Sequence, residues 1–132
     1  MSQKNVEVVK EVLAAFSRYD FDGALEYMHR DVVLEMADED PLYGKYVGRE
    51  QVKTFWMSLF RFWDGWKVET ERLEDAGDTV VVVYRVLLRG RESGIPLEQR
   101  LAQLAKFRDG KVARTQLYRD VGKALEAVGL GE

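Results

Sequence analysis

The hydrophobic repeat changes once along this chain, and the change limits the folds that the chain can adopt. Before Trp66 the apolar residues recur at the spacing of one helix face, and after Trp66 they alternate with polar residues. The alternation predicts strands over residues 66–73, 79–89, 97–107 and 111–120. These are separated by Gly77-Asp78, a GRESGIP loop and an Asp109-Gly110 turn, which predicts an antiparallel meander.

Helices are predicted ahead of the meander. An apolar stripe marks the first, from Ser2 to about Tyr19, through Val6, Val9, Leu13 and Phe16. Asp20 is suited to cap a second, short helix through Leu25, Tyr27 and Met28. A strand is then predicted at 32–34 and an irregular loop at 37–48, which holds a proline, two glycines and an acidic cluster.

A third helix is predicted from Arg49 to Trp63, with Gly65 as its stop. Its apolar face is unusually aromatic, which indicates core and cavity wall. A closing helix is predicted from Lys123 to Val128. Because helices come first and strands later, the fold class is α+β, with helices packed on one face of a curved antiparallel sheet. The length of 132 residues fits a single domain over 1–132.

The composition disfavours nucleic acid and membrane as partners. The 20 Lys and Arg residues and 23 Asp and Glu residues are interspersed with a net charge of −3, which disfavours binding to nucleic acid. No stretch reaches the roughly 18 apolar residues of a membrane span, and the N-terminus lacks the apolar segment of a secretory signal. We therefore expect a cytoplasmic protein that binds neither membrane nor nucleic acid.

No cofactor and no metal are expected. The chain has no cysteine, and the Asp38-Glu39-Asp40 cluster, followed by Pro41, lacks the spacing of a calcium loop and indicates a solvated loop. His29, the only histidine, follows the second predicted helix, where the helix dipole favours a cation. This position indicates a structural role for His29.

One amide interrupts an apolar row. Gln103 shares a predicted strand face with Leu101, Ala105 and Phe107. Burial of an amide without a hydrogen-bond partner costs ~1–3 kcal/mol. We therefore expect Gln103 to bond a neighbouring polar side chain, to hold water or to contact a ligand.

Several segments together resemble one family. In chain order they are AFSRYDFDGALEYMHRDVVLE, GREQV, GDTVVVVYRVLLRGRESG, FRDGKV and YRDVGKALEAVGL. The chain resembles the SnoaL-like domains of the nuclear transport factor 2-like superfamily, alongside ketosteroid isomerases, polyketide cyclases and limonene epoxide hydrolases. The resemblance implies a cone-shaped, curved antiparallel sheet that wraps around the N-terminal helices and leaves an apolar pocket at its wide end. It also implies a homodimer through the outer face of the sheet.

The resemblance does not bring a catalytic set with it. The matching positions for the tyrosine, the proton-moving aspartate and the carbonyl-polarising acid of ketosteroid isomerases hold Val12, Met36 and Gln103. Those for the relay and water-holding residues of limonene epoxide hydrolases hold Tyr84, Val86, Leu117, Leu34 and Met36. A register shifted by one residue would instead place Arg85 at the relay arginine.

Both templates imply the same inward-facing strand positions, to which we add three residues of the helices. The predicted ligand contacts are Phe16, Leu34, Met36, Trp56, Leu59, Tyr84, Val86, Leu101, Gln103, Thr115, Leu117 and Arg119. Tyr84 and Thr115 are candidate hydrogen-bond partners of Gln103. Arg119 pairs either with a ligand carboxylate at the cavity mouth or with a surface acid.

Two outward arginines are predicted to border a dimer contact. If Arg85 and Arg100 face outward, they flank an apolar patch made of Val81, Val83, Leu87, Ala102 and Leu104.

The sequence thus predicts a pocket protein that binds a small, apolar, carbonyl-bearing metabolite. The alternative is an enzyme of the isomerase, cyclase or hydratase type. In it, Tyr84 and Gln103 would donate hydrogen bonds to a substrate oxygen.

Overall fold

The computed structural model describes residues 2–37 and 44–131 and has the α+β architecture expected from the sequence. The helices are α1 (Ser2–Ser17), α2 (Phe21–Leu25), α3 (Gly48–Phe62) and α4 (Val121–Ala127). The strands are β1 (Met28–Met36), β2 (Lys45–Val47), β3 (Trp63–Ala76), β4 (Thr79–Gly90), β5 (Pro96–Arg108) and β6 (Lys111–Tyr118). The predicted solvated cluster Asp38-Glu39-Asp40 lies outside the described residues. None of the described helices is long and apolar enough to cross a membrane.

The predicted meander is confirmed. The strands form one sheet in the order β2-β1-β6-β5-β4-β3, and the pairs from β3 to β6 are antiparallel. At the last turn, Asp109 (φ 55°) and Gly110 (φ 78°) both adopt the left-handed conformation of a two-residue hairpin turn. The short Asp-Gly sequence therefore sets the pairing of β5 and β6 next to the turn, and an irregularity between Lys106 and Phe107 shifts the register beyond it.

The second helix is shorter than predicted, and this changes the position of His29. The Asp20 carboxylate accepts the Gly23 N–H at 2.9 Å, as predicted for a cap, but α2 ends at Leu25. The Tyr27 carbonyl accepts the Val112 N–H at 3.0 Å, which draws the chain into the sheet. The predictions of a helix through Met28 and of His29 at a helix end are therefore wrong, because β1 begins at Met28.

The sequence predicted a wholly antiparallel sheet, but the sheet contains one parallel pair. β1 pairs with β6 in parallel, and β2, within the predicted irregular loop, pairs antiparallel with β1. The β1–β6 pair joins segments far apart in the chain, so no hairpin imposes a direction on it. Glu35 of β1 accepts hydrogen bonds from Arg114 Nε (2.9 Å) and Gln116 (3.0 Å) of β6.

Glu35 is held as a carboxylate. Burial alone would raise the pKa of Glu35, but the bonds from Arg114 and Gln116, with the charges of Arg114 and Lys45, lower it below its ordinary value of 4.5. The ion pair therefore favours the parallel β1–β6 arrangement at neutral pH.

The passage from α3 to β3 occurs earlier than predicted. α3 ends at Phe62 and β3 starts at Trp63, three residues before the predicted strand start. Arg91 stabilises this helix end. Its guanidinium donates to the carbonyls of Phe60 (2.6 Å) and Trp63 (3.1 Å), and its backbone N–H donates to the Phe62 carbonyl (3.0 Å). Carbonyls at a helix end otherwise lack intrahelical partners.

Two apolar cores lie on opposite faces of the sheet. The larger one packs α1, α2 and α3 against the inner face. The smaller one lies beneath α4, whose Val121, Ala124 and Leu125 cover the outer face. The Asp120 carboxylate caps α4 by accepting the Lys123 N–H at 3.2 Å.

Candidate ligand site

The strand register brings the predicted site residues onto the inner face. One row across the sheet contains Met36, Leu117, Gln103 and Val82. The neighbouring row contains Leu34, Thr115, Ala105 and Val80. The first row is more accessible, because Met36, Leu117 and Gln103 are half-buried whereas every member of the second row is buried. A molecule that reaches the inner face would therefore meet the row of Gln103 first.

The structure decides between the two registers of β4. Tyr84 points inward and keeps 8% of its surface exposed. Arg85 lies on the outer face, where it donates to Glu98 at 2.8 Å and to Glu69 at 3.5 Å. The alternative with Arg85 at an inward relay position is wrong.

Gln103 is the middle member of a hydrogen-bond chain across three strands. The Tyr84 hydroxyl donates to Gln103 Oε1 at 3.1 Å. Gln103 Nε2 in turn donates to the hydroxyl of Thr115, a residue that is 2% exposed. Gln103 therefore bonds both of its candidate partners, which orients its amide plane.

The donor and acceptor roles in these two hydrogen bonds determine which N–H and O–H groups remain available to a ligand. The Tyr84 proton is used toward Gln103, and Thr115 takes one of the two N–H groups of the amide. Within the described residues, no hydrogen bond uses the second N–H of Gln103. Because Gln103 is half-buried, this N–H is a candidate donor to a ligand oxygen at the inner face.

Tyr84 is held in its neutral form. Burial raises the pKa of the Tyr84 hydroxyl far above its ordinary value of 10.0. Near neutral pH this phenol is a hydrogen-bond donor and neither a base nor a ready source of protons.

The interior carries little charge. Within the described ranges, the buried polar residues are Thr79 and Thr115, and no Asp, Glu, Lys, Arg or His is buried. Proton transfer by a buried carboxylate therefore has no residue to perform it in the described part of the chain. The arrangement is suited to orienting an apolar molecule by a hydrogen bond.

A family model, described as the SnoaL-like domain, matches residues 9–115. The chain belongs to this family. The match begins within α1, spans α2, α3 and β1 to β5, and ends within β6. It confirms the resemblance that the sequence segments indicated.

Solved structures share the fold of this SnoaL-like domain. An NTF2-like protein from Burkholderia thailandensis is 25% identical, with a TM-score of 0.76 over 86% of this chain and 88% of that one. TerC, co-crystallised with polyporic acid, is 23% identical, with a TM-score of 0.78 over 95% and 98%. A Catenulispora acidiphila protein with a ketosteroid isomerase-like fold, in complex with trimethylamine, is 18% identical, with a TM-score of 0.75 over 94% and 93%. No curated protein matches the chain.

The helical side of the SnoaL-like domain is an aromatic cluster. Phe16 of α1 packs its ring 5.4 Å from that of Trp56 and 5.3 Å from that of Trp66, centroid to centroid. Phe60 lies 4.9 Å from Trp66. Trp56 and Leu59 of α3 pack into the core, as expected, but Phe62 is 65% exposed, so the expectation is wrong for this last aromatic residue of α3.

Trp66 carries a polar atom in the interior, although it is not among the predicted ligand contacts. Its indole Nε1 is buried, and no described residue accepts its hydrogen bond. The position of Trp66, at the junction of a helix and a strand, could have indicated an interior donor. A buried indole N–H usually needs an acceptor.

The ligand contacts remain a prediction. Among the described residues, surface grooves of about 350 Å³ and 310 Å³ lie elsewhere, one along α3 and β2 and the other between α1 and β3. Neither is lined by any of the predicted contacts. Arg119 lies beyond the end of β6 and is exposed, so the structure does not bring it to the inner face with the other residues.

The predicted dimer patch is mostly covered by the chain itself. Val81, Val83, Ala102 and Leu104 are at most 2% exposed and pack against α4. Arg85 faces outward, as expected, and lies within an ion-pair network with Glu69, Glu71 and Glu98. The homodimer stays a prediction, but these four apolar side chains cannot form its contact while α4 is docked.

Proposed function

We propose that this SnoaL-like domain binds a small, mainly apolar molecule that carries an oxygen acceptor, and that Gln103 orients the molecule. The observation that carries the proposal is the Tyr84–Gln103–Thr115 hydrogen-bond chain on an otherwise apolar inner face. The molecule would lie between this face and helices α1 and α3.

The hydrogen-bond chain prepares the amide for binding. An amide whose two ends are both bonded cannot rotate without breaking two bonds, so little conformational freedom is lost when a ligand binds. The second N–H of Gln103 is then available to a carbonyl or similar acceptor. Met36 and Leu117, which are half-buried in the same row, supply apolar contacts beside it.

Catalysis through two donors has less support than binding. The enzyme alternative needs Tyr84 and Gln103 to donate to one substrate oxygen. The Tyr84 hydroxyl donates to Gln103 Oε1 instead. Tyr84 therefore acts as a positioning residue for the amide, and Gln103 is the direct contact.

Calorimetric titration and thermal shift test the proposal. The first probe is polyporic acid, because TerC was co-crystallised with it, and steroids, terpenes, polyketides and fatty acids complete the panel. A ligand at about 100 times its Kd adds about 2.7 kcal/mol to the free energy of unfolding. A panel in which no compound raises the melting temperature would contradict the proposal.

A matched pair of variants tests the role of the amide. Gln103→Leu removes the inward amide, and Gln116→Leu removes an amide from the outer face of the adjacent strand. We expect the first to weaken binding about tenfold or more, since a hydrogen bond to a buried acceptor is lost, and the second to leave binding unchanged. Equal affinities of both variants would refute Gln103 as the contact.

A further inference from the structure

The end of the β5–β6 hairpin concentrates positive charge on the outer face of the sheet. Arg108 lies directly opposite Lys111, and Lys106 lies directly opposite Arg114. Phe107 and Val112, between these pairs, pack into the inner core, so the cations share the opposite face. All four are exposed, in a chain whose net charge is −3.

Like charges in directly opposed strand positions destabilise a sheet. Arg114 is compensated by Glu35. Among the described residues, neither Arg108 nor Lys111 has a carboxylate within ion-pair distance. This pair therefore lies in an electrostatically unfavourable arrangement that an anion would relieve.

His29 adds a third donor at the same place. The Asp31 N–H donates to Nδ1 of His29 at 3.1 Å, so the neutral ring carries its proton on Nε2. Arg108 Nη2 lies 3.0 Å from Nδ1 and 3.1 Å from Nε2. A guanidinium donor and an imidazole donor are thus neighbours, and the Asp31 carboxylate lies 3.8 Å from Nδ1.

We propose that Arg108, Lys111 and His29 form a binding site for a phosphate group. A tetrahedral oxyanion offers several acceptor oxygens, which suits a guanidinium, an ammonium and an imidazole N–H carried by three neighbouring strands. The site is on the face opposite Gln103, so it is independent of the proposed function.

The only histidine of the chain provides a direct reporter. Inorganic phosphate replaces chloride at constant pH and ionic strength, and NMR follows the ring protons of His29. We expect a saturable shift in the wild type. In the Arg108→Gln, Lys111→Gln double variant, the apparent affinity should fall at least about tenfold, because charge-assisted hydrogen bonds are lost.

A charge-matched control separates the site from net charge. Arg61→Gln, Arg89→Gln removes two exposed cations elsewhere and should leave the phosphate affinity unchanged. A shift that does not saturate, or an equal loss in both double variants, would overturn the proposal. Without phosphate, the Arg108→Gln, Lys111→Gln variant should melt no lower than wild type, since a repulsion is removed. If it does not fold, Lys111→Gln alone gives the same comparison.

The source of the phosphate group is distinguished by a second arm. Vesicles of phosphatidylcholine with phosphatidic acid present the group on a surface. Co-sedimentation of the wild type, lost in the Arg108→Gln, Lys111→Gln variant, would identify a lipid headgroup as the source. Saturable binding of inorganic phosphate without co-sedimentation would identify a soluble phosphate compound.

Discussion

Replacement of Gln103 by leucine tests the hydrogen-bond chain by its effect on stability. Leucine matches the size of glutamine but neither accepts nor donates. The change leaves the Tyr84 hydroxyl without its acceptor and the Thr115 hydroxyl without its donor. Both residues are buried, at 8% and 2% exposure, so water cannot readily replace the lost bonds.

The expected loss follows from these two groups. A buried polar group left without a partner costs about 1–3 kcal/mol. Two such groups, offset by the amide that no longer has to be desolvated, give a net loss of about 2–4 kcal/mol. For a chain of this length, each kcal/mol corresponds to about 4 °C in melting temperature, so the midpoint should fall by about 8–16 °C.

Urea denaturation followed by circular dichroism measures this loss. The double variant Tyr84→Phe, Gln103→Leu should be less destabilised than the sum of the single variants, with a coupling energy of about 1–2 kcal/mol, because the two side chains share one bond. Gln99→Leu, on the same strand, is the control. Gln99 makes no hydrogen bond through its side chain to a described residue, and its replacement should change stability by less than about 0.5 kcal/mol.

One result would refute the reasoning. If Gln103→Leu were as stable as Gln99→Leu, the Tyr84 and Thr115 hydroxyls would not depend on the amide. Gln103 would then not be held in one orientation, and the argument for it as a prepared donor would fail.

Three further predictions concern other contacts. Glu35→Gln should reduce the loss of stability that occurs as the pH falls below 4.5. The folded-state pKa of Glu35 is lowered, so the carboxylate contributes about 1 kcal/mol above pH 4.5, and this contribution is lost as the pH falls. Urea titrations across acidic pH check this, and an unchanged slope would contradict it. Tyr84→Phe should be less sensitive to alkali than wild type, because above pH 10.0 the unfolded state ionises Tyr84 while burial keeps it protonated in the folded state. Unfolding free energies above pH 10.0, compared between the two proteins, measure the difference, and parallel curves would count against it. Leu125→Ala, at a residue of α4 that is 1% exposed, should cost about 2–4 kcal/mol in calorimetry, and a loss under about 1 kcal/mol would mean that α4 adds little.

The structure of the strands after Trp66 could be predicted from local chemistry. Alternation predicts which side chains share a face, and Asp109-Gly110 favours the tight hairpin turn observed between β5 and β6. These are properties of contiguous residues. The inward position of Gln103 therefore followed from its neighbours Leu101 and Ala105 before its partners were known.

Other features depend on segments that are distant in the chain. Nothing near Met28 indicates that β6 will pair with it in parallel, and this pairing turned a predicted helix end into a strand that carries His29. Likewise, alternation placed Val81 and Leu104 on the outer face, but only the docking of α4 buried them.

What the sequence alone determined about this protein is its family, its fold class, the meander of strands after Trp66 and the inward face of Gln103 in β5. Only the tertiary structure decided that Tyr84 donates to Gln103, and that cations gather beside His29. The physical reason is range: period and turn chemistry act between near neighbours, whereas hydrogen-bond direction and charge clustering depend on strands brought together from across the chain.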